Sequence, residues 1–235
     1  MTKRRSKKPS GTIGSIIINP AEKTAELQSL PFSNDKAKLE QYFVTFVTRG
    51  LRRRGSNMYN LTGEPIQNPE SDYDFTLPTV SGTEYLELME VAPLEGVGGS
   101  YQKASGSYNH GELADFIYDK LIAKSTKYHA CPQPSIHLML YTTDWRFLVA
   151  EGVLFLVAHR CQQTEHNFKT IIYFVPDDAT HGEVKIVYPL SPKVFKNFDQ
   201  RLRNRITMLG DPTKIIVESD GSVVIPLAPP KKRFK

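Results

Sequence analysis

The chain has 235 residues, a formal net charge of +5 and a hydrophobic content of 40%, with 16 prolines and 15 glycines. This composition supports one medium-sized domain with a real core, and it excludes collagen-like and wholly disordered chains. Two cysteines, Cys131 and Cys161, form no CxxC pair, so neither a disulfide scaffold nor a structural zinc site is predicted. The charged N-terminus predicts no secretory signal, and no apolar run approaches the roughly 18 residues of a membrane helix. We therefore expect a cytoplasmic protein without a membrane partner.

The positive charge is concentrated at the two ends of the chain. Residues 1–12 are predicted to form a disordered basic tail, residues 229–235 form a second basic tail, and neither contains an acidic residue. The body at 13–228, predicted to be a single α/β domain, is therefore slightly acidic. Basic tails suit polyanions such as nucleic acid, because each phosphate contact releases counterions. A solvated end that keeps the protein soluble explains the tails equally well.

Helices and apolar strands alternate along the chain. The sequence predicts, in order, a β run at 13–18, a helix from about 34 to 50, a strand pair at 73–77 and 84–91, a helix at 112–127, a buried strand at 136–141, a helix at 151–162, a buried strand at 170–175, a strand at 184–188, a helix at 194–205 and a hairpin at 215–217 and 223–225. Apolar strands alternating with helices favour an α/β sandwich with a partly parallel sheet.

The segment at 71–94, SDYDFTLPTVSGTEYLELMEVAPL, places acids within an apolar strand pair. Because side chains alternate across a strand, Glu87 shares a face with Met89, and Leu88 points to the other face. Asp74 precedes the turn at Ser81-Gly82 and can lie across from Glu87. Two carboxylates brought together repel each other unless a divalent cation lies between them, and oxygen ligands of this kind suit Mg²⁺ or Mn²⁺.

An acid on one strand, an E-x-K-like pattern on its hairpin partner, then a helix and a buried strand resemble the core of the PD-(D/E)xK nucleases. The resemblance covers about residues 34–175, and its motif is short and degenerate. Asp74, within Tyr73-Asp74-Phe75, stands at the first acid, where the family often has "PDF", and Glu87 stands at the second. Glu40, on the preceding helix, matches an additional acid found in many members.

This resemblance implies a restriction-endonuclease-like three-layer sandwich over 13–228, with a central mixed sheet flanked by helices. It implies that Asp74, Glu87 and Glu40 hold Mg²⁺ or Mn²⁺ and that the protein hydrolyses phosphodiester bonds, in DNA rather than RNA. A bacterial defence or mobile-element context would suit such an activity. A homodimer or a protein partner remains open.

The chain departs from the family pattern at Met89, which stands where the family has lysine. Methionine cannot orient water by charge or donate a hydrogen bond. Some members supply a substitute lysine from the following helix, and Lys120, Lys124 and Lys127 fall within about 60° of each other on a helical wheel. Lys120 and Lys124 are therefore candidate catalytic residues, and Lys103 in the glycine-rich loop is another substitute. Alternatively, these helical lysines lie at the solvated rim of the buried face.

Two other interpretations remain open. A catalytically degenerate nuclease fold that serves as a nucleic-acid-binding or assembly subunit is favoured by Met89 and opposed by the intact Asp74 and Glu87. A protein-interaction module with incidental acids is the third possibility. The sequence contains no zincin pattern, no Walker lysine after Gly99 and no GxSxG elbow.

Overall fold

The computed structural model describes residues 11–53, 59–69, 73–93, 101–128, 135–178, 182–196 and 198–228, without the side chains of residues 50–53. The tails at 1–10 and 229–235 lie outside the described residues. The helices and strands, in chain order, are β1 (Gly14–Asn19), β2 (Thr24–Ser29), α1 (Lys36–Arg53), β3 (Ile66–Gln67), β4 (Phe75–Thr79), β5 (Gly82–Glu90), β6 (Ser107–Asn109), α2 (His110–Thr126), β7 (Ile136–Tyr141), α3 (Glu151–Gln163), β8 (Phe168–Pro176), β9 (Gly182–Tyr188), β10 (Ile206–Met208), β11 (Ile216–Val217) and β12 (Val223–Val224).

Six strands form the central sheet, in the order β3-β4-β5-β7-β8-β9. The inner strands β5, β7 and β8 run parallel, and the remaining pairs are antiparallel. Every side chain of β7 is buried, which explains why His137 is the single exception in an otherwise apolar sequence, because a parallel strand inside a sheet is covered on both faces. The predicted α/β class with a mixed sheet is therefore confirmed.

Helices cover both faces of this sheet. Leu39, Phe43 and Val47 of α1 pack against Leu86 and Leu88 of β5. The helices α2 and α3 pack on the opposite face, where β5 presents Tyr85 and Met89. Strand alternation thus divides β5 between two cores, and its odd-numbered side chains, Glu87 among them, lie beneath α2.

Two local predictions were wrong. The helix expected at 194–205 is replaced by two short 3-10 helices, Pro192–Phe195 and Gln200–Asn204, neither of which contains a buried residue. Phe195, Phe198 and Leu202 are only half-buried at the rim of the core, so the segment gains little of the apolar burial that supplies most helical stability in proteins. The hairpin turn lies at Val80-Ser81, and Gly82 begins β5 with a φ of 113°, a conformation that favours glycine.

Four strands, β2, β3, β6 and β10, had no counterpart in the sequence-based elements. They are two to six residues long and largely exposed or half-buried, so they carry no strong apolar pattern. Within the described ranges, no helix combines the length and apolar character needed to cross a membrane. The predicted terminal hairpin is present as β11 and β12.

Candidate active site

The pairing of β4 with β5 brings Asp74 and Glu87 together. Phe75 pairs with Leu86, so Asp74, one residue earlier on the antiparallel strand, lies across from Glu87. The backbone N–H of Leu88 donates a hydrogen bond of 2.7 Å to Oδ2 of Asp74, which fixes this carboxylate at the edge of β5. Glu87 is only 2% exposed. The two acids therefore meet at a partly closed position between the sheet and α2.

Lys124 on α2 completes this acid pair. Its Nζ contacts Oε2 of Glu87 and lies 3.7 Å from Oδ2 of Asp74. Ile117 and Leu121 are fully buried, and Lys124 follows them on the same stripe of the helix at a spacing of three to four residues. The packing of this stripe on the sheet therefore directs Lys124 toward the two carboxylates.

The other candidate lysines lie elsewhere. Lys120 is exposed, with its Nζ 5.5 Å from the centre of the Phe116 ring, and Lys127 is exposed at the end of α2. Lys103 is exposed in a short 3-10 helix at Tyr101–Lys103. Lys120 and Lys127 therefore lie at the solvated rim of α2, whereas Lys124 contacts the two acids. Which of these residues act in catalysis stays a prediction.

Tyr128 is a site residue that the sequence analysis missed. Its hydroxyl donates a hydrogen bond to Oε1 of Glu87, so the two oxygens of this carboxylate have different partners. Burial and the neighbouring Glu87 carboxylate raise the pKa of the Tyr128 hydroxyl, which keeps it a donor. The sequence feature that could have identified Tyr128 is its position four residues after Lys124, which is about one helical turn. We call Asp74, Glu87, Lys124 and Tyr128 the acidic site.

The charge on Glu87 is incompletely compensated. Burial raises the pKa of this carboxyl, Lys124 lowers it in part, and the nearby Asp74 raises it again, so the pKa lies above its ordinary value. Desolvation and like-charge repulsion both disfavour the ionised form of a carboxyl group. The acidic site therefore offers a further cation a favourable electrostatic environment.

Glu40 approaches the same region from α1. Its carboxylate is buried and is paired with Lys36, with Oε1 3.3 Å from Nζ. Burial raises the pKa of Glu40, Lys36 opposes that rise, and the charges of Asp74 and Lys124 also act on it. Glu40 thus contributes negative potential to the acidic site while its nearest cation is Lys36.

The ligands of the acidic site fit a hard divalent cation that is held by two carboxylates and shared with water and substrate. Across the part of the chain that the structure describes, no group of three or more His, Cys, Asp or Glu side chains is arranged to hold a metal ion. Mg²⁺, however, is commonly bound by one or two carboxylates that share it with water and substrate phosphate. Asp74 and Glu87 are such a pair of oxygen ligands, and burial together with the neighbouring Asp74 raises the pKa of Glu87.

Comparisons with known proteins identify no relative of the chain. No protein-family model, curated protein or solved structure matches the chain. The acidic site is therefore interpreted from its own geometry and charge.

Proposed function

We propose that the protein is a divalent-metal-dependent nuclease of the PD-(D/E)xK type, with a restriction-endonuclease-like fold, that hydrolyses phosphodiester bonds in DNA at the acidic site. The strongest support is the contact of Lys124 with both acids. Met89 cannot provide the ammonium group that the family pattern requires on the strand, and α2 provides one in its place. A displaced lysine at the acid pair suits an intact site better than a degenerate one.

Each residue of the acidic site has a distinct role in this proposal. Asp74 and Glu87 hold Mg²⁺ or Mn²⁺, and Glu40 adds negative potential from α1. When bound, the metal ion stabilises charge on the phosphate and lowers the pKa of water. Lys124 orients the attacking water and offers positive charge to the phosphate. Tyr128 fixes the Glu87 carboxylate by donating to one of its oxygens.

A basic segment beside α2 supports nucleic acid as the substrate. Residues 192–205 contain five basic residues and the single acid Asp199. Lys193, Lys196, Arg201 and Arg205 are exposed. Arg203 joins the segment to α2 through an ion pair of 2.7 Å with Asp115, nine residues or about 14 Å along the helix from Lys124. Exposed cations at this distance suit contacts with the phosphate backbone on either side of a cleavage position.

The second candidate is a nucleic-acid-binding or assembly subunit of the same fold without catalysis. Met89, in place of the family's strand lysine, favours it, and the contact of Lys124 with Glu87 is compatible with it, because such an ion pair also stabilises a protein that binds no metal. The two candidates differ in one property, which is cleavage that requires both a metal ion and Lys124.

Cleavage of plasmid, linear DNA and RNA with Mg²⁺ or Mn²⁺ tests the proposal. Asp74→Asn keeps an acceptor for the Leu88 N–H but removes the charge, and Lys124→Ala removes the ammonium group. We expect each to lower the rate at least about 100-fold, the usual scale for losing one group that stabilises charge in the transition state. Lys120→Ala is the matched control, since it removes the same charge one turn away from an exposed position, and its rate should stay within about twofold of wild type.

Two outcomes would contradict the proposal. If the wild-type protein binds DNA but cleaves nothing with either metal, the second candidate replaces the nuclease. If Lys120→Ala loses as much activity as Lys124→Ala, the assignment of Lys124 is wrong.

A further inference from the structure

A cavity of about 270 Å³ adjoins the acidic site. Its lining includes Tyr128, Ser135, Asn167, Phe168 and Lys169. Tyr128 belongs to both places, because its hydroxyl donates to Glu87 while the residue forms part of the cavity wall. Tyr128 therefore links the cavity to the acidic site.

Tyr128 is also the outer member of a stack of three tyrosines. Its ring lies 4.9 Å from that of Tyr73, which in turn lies 4.2 Å from that of Tyr85, and both pairs are close to parallel. Tyr73 covers one face of Tyr128. A planar ring that lies in the cavity against the other face of Tyr128 would continue the stack, as nucleobases do on aromatic side chains of proteins that bind single strands.

Polar groups complete the lining of the cavity. Asn167 is held in place by Ser125, which accepts a hydrogen bond of 2.8 Å from the Asn167 N–H at its hydroxyl and one of 3.1 Å from the Asn167 side chain at its carbonyl. Lys169 is half exposed, and its Nζ is paired with Oε1 of Glu84 at 2.5 Å. An aromatic wall with a few fixed polar groups suits a nucleobase, which is apolar on its faces and polar at its edge.

We infer that this cavity binds one unpaired nucleobase of the strand whose phosphate lies at the acidic site, so that the substrate is single-stranded DNA or a frayed duplex end. The inference rests on the proposed nuclease function and specifies its substrate class. The cavity volume lies just below the range of about 300–1,000 Å³ for drug-sized ligands, which suits one base and not a base pair. A base within an intact duplex would first have to leave its stack.

Fluorescence of a short single-stranded DNA that carries one 2-aminopurine tests the inference. Binding is followed in EDTA, so that no cleavage occurs, and stacking of the analogue on Tyr128 quenches its emission. We expect quenching with the wild-type protein and with Tyr128→Phe, which keeps the ring. Tyr128→Leu should weaken binding about tenfold, the scale of one base–aromatic stack. Ser135→Trp fills the cavity and should weaken binding similarly, whereas Ser135→Ala, the matched control, should bind as the wild type does.

The outcomes distinguish base binding in the cavity from catalysis at the acidic site. Equal binding by Ser135→Trp and Ser135→Ala, or equal affinity for single-stranded and duplex DNA, overturns the inference. Metal- and Asp74-dependent cleavage of duplex DNA without any quenching overturns the inference and leaves the nuclease proposal standing. Quenching that depends on Tyr128 and on an open cavity, without cleavage in any metal, supports the cavity and overturns the nuclease proposal.

Discussion

Two buried glutamates on β5, three residues apart, differ in how their charge is balanced. Glu84 is 5% exposed and Glu87 is 2% exposed, and each contacts a lysine. They point to opposite faces of the sheet, since their separation is an odd number of residues. The pKa of Glu84 lies below the ordinary value, whereas the pKa of Glu87 lies above it.

The partners of Glu84 account for its lowered pKa. Burial alone would raise the pKa of this carboxyl, but Lys169, 2.5 Å from Oε1, and His137, 2.7 Å from Oε2, more than offset that effect. Burial lowers the pKa of His137, so its neutral ring donates from Nε2 to Glu84 and accepts at Nδ1 from the Thr170 hydroxyl, 2.6 Å away. Both oxygens of Glu84 thus have partners dedicated to them.

Glu87 shares its cation with a second acid. Lys124 is shared with Asp74, and Asp74 itself repels the Glu87 carboxylate. The partners of Glu84 stabilise its charge within the fold, whereas Glu87, beside a second acid, has a shifted pKa of the kind that clusters at functional sites.

The largest difference should appear in metal-dependent cleavage. Glu87→Gln keeps an acceptor for the Tyr128 hydroxyl but removes the charge, and we expect it to lower the cleavage rate about 10³-fold or more because a metal ligand is lost. Glu84→Gln should cleave within about threefold of wild type at temperatures where it is folded. Binding of Mn²⁺, followed by electron paramagnetic resonance, should show the same order. Similar losses in the two variants would remove the distinction between the two glutamates.

Stability should show the reverse order. Glu84→Gln should lower the free energy of unfolding by about 2 kcal/mol, chiefly through the buried bond to His137, because Lys169 is half exposed and contributes little. Glu87→Gln should change it by no more than about 1 kcal/mol, since the charge that it removes is already costly in the folded protein. Urea unfolding near neutral pH measures both. A larger loss of stability in Glu87→Gln than in Glu84→Gln would show that the acidic site serves mainly the fold.

The smallest effect is the dependence of stability on pH, where the two glutamates should act with opposite signs. Because the folded pKa of Glu84 is lowered, its stabilising contribution is present above the unfolded pKa of about 4.5 and is lost as the pH falls through the folded pKa. Because the folded pKa of Glu87 is raised, its contribution is present below about 4.5 and is lost as the pH rises through the folded pKa.

Urea unfolding between about pH 3 and pH 7 checks these signs. The deficit of Glu84→Gln relative to wild type should shrink as the pH falls below about 4.5. The stability of Glu87→Gln relative to wild type should instead increase as the pH rises above that value. Parallel curves for the two variants would contradict the opposite pKa shifts.

Much of the scaffold could be predicted from local patterns. The mainly apolar run at Ile136–Tyr141 identified the central strand β7. A strand buried on both faces does not show the alternation of polar and apolar residues that a half-exposed strand shows. The alternation along β5 placed Glu87 opposite in direction to Leu88, and the short turn placed Asp74 across from Glu87. These features depend on residues close together in the chain, where backbone geometry alone sets the spacing and direction of side chains.

Only the tertiary structure decided which groups meet these acids. The helical wheel left three lysines within one sector, and the packing of Ile117 and Leu121 against the sheet then directed Lys124 to Glu87. The bond between Glu84 and His137 joins residues 53 positions apart, through the parallel pairing of β5 with β7. The sequence by itself therefore determined the strands that carry the acids. The partners of these acids were decided by the rotation and position of each helix on the sheet. Both depend on the packing of side chains that are distant in sequence.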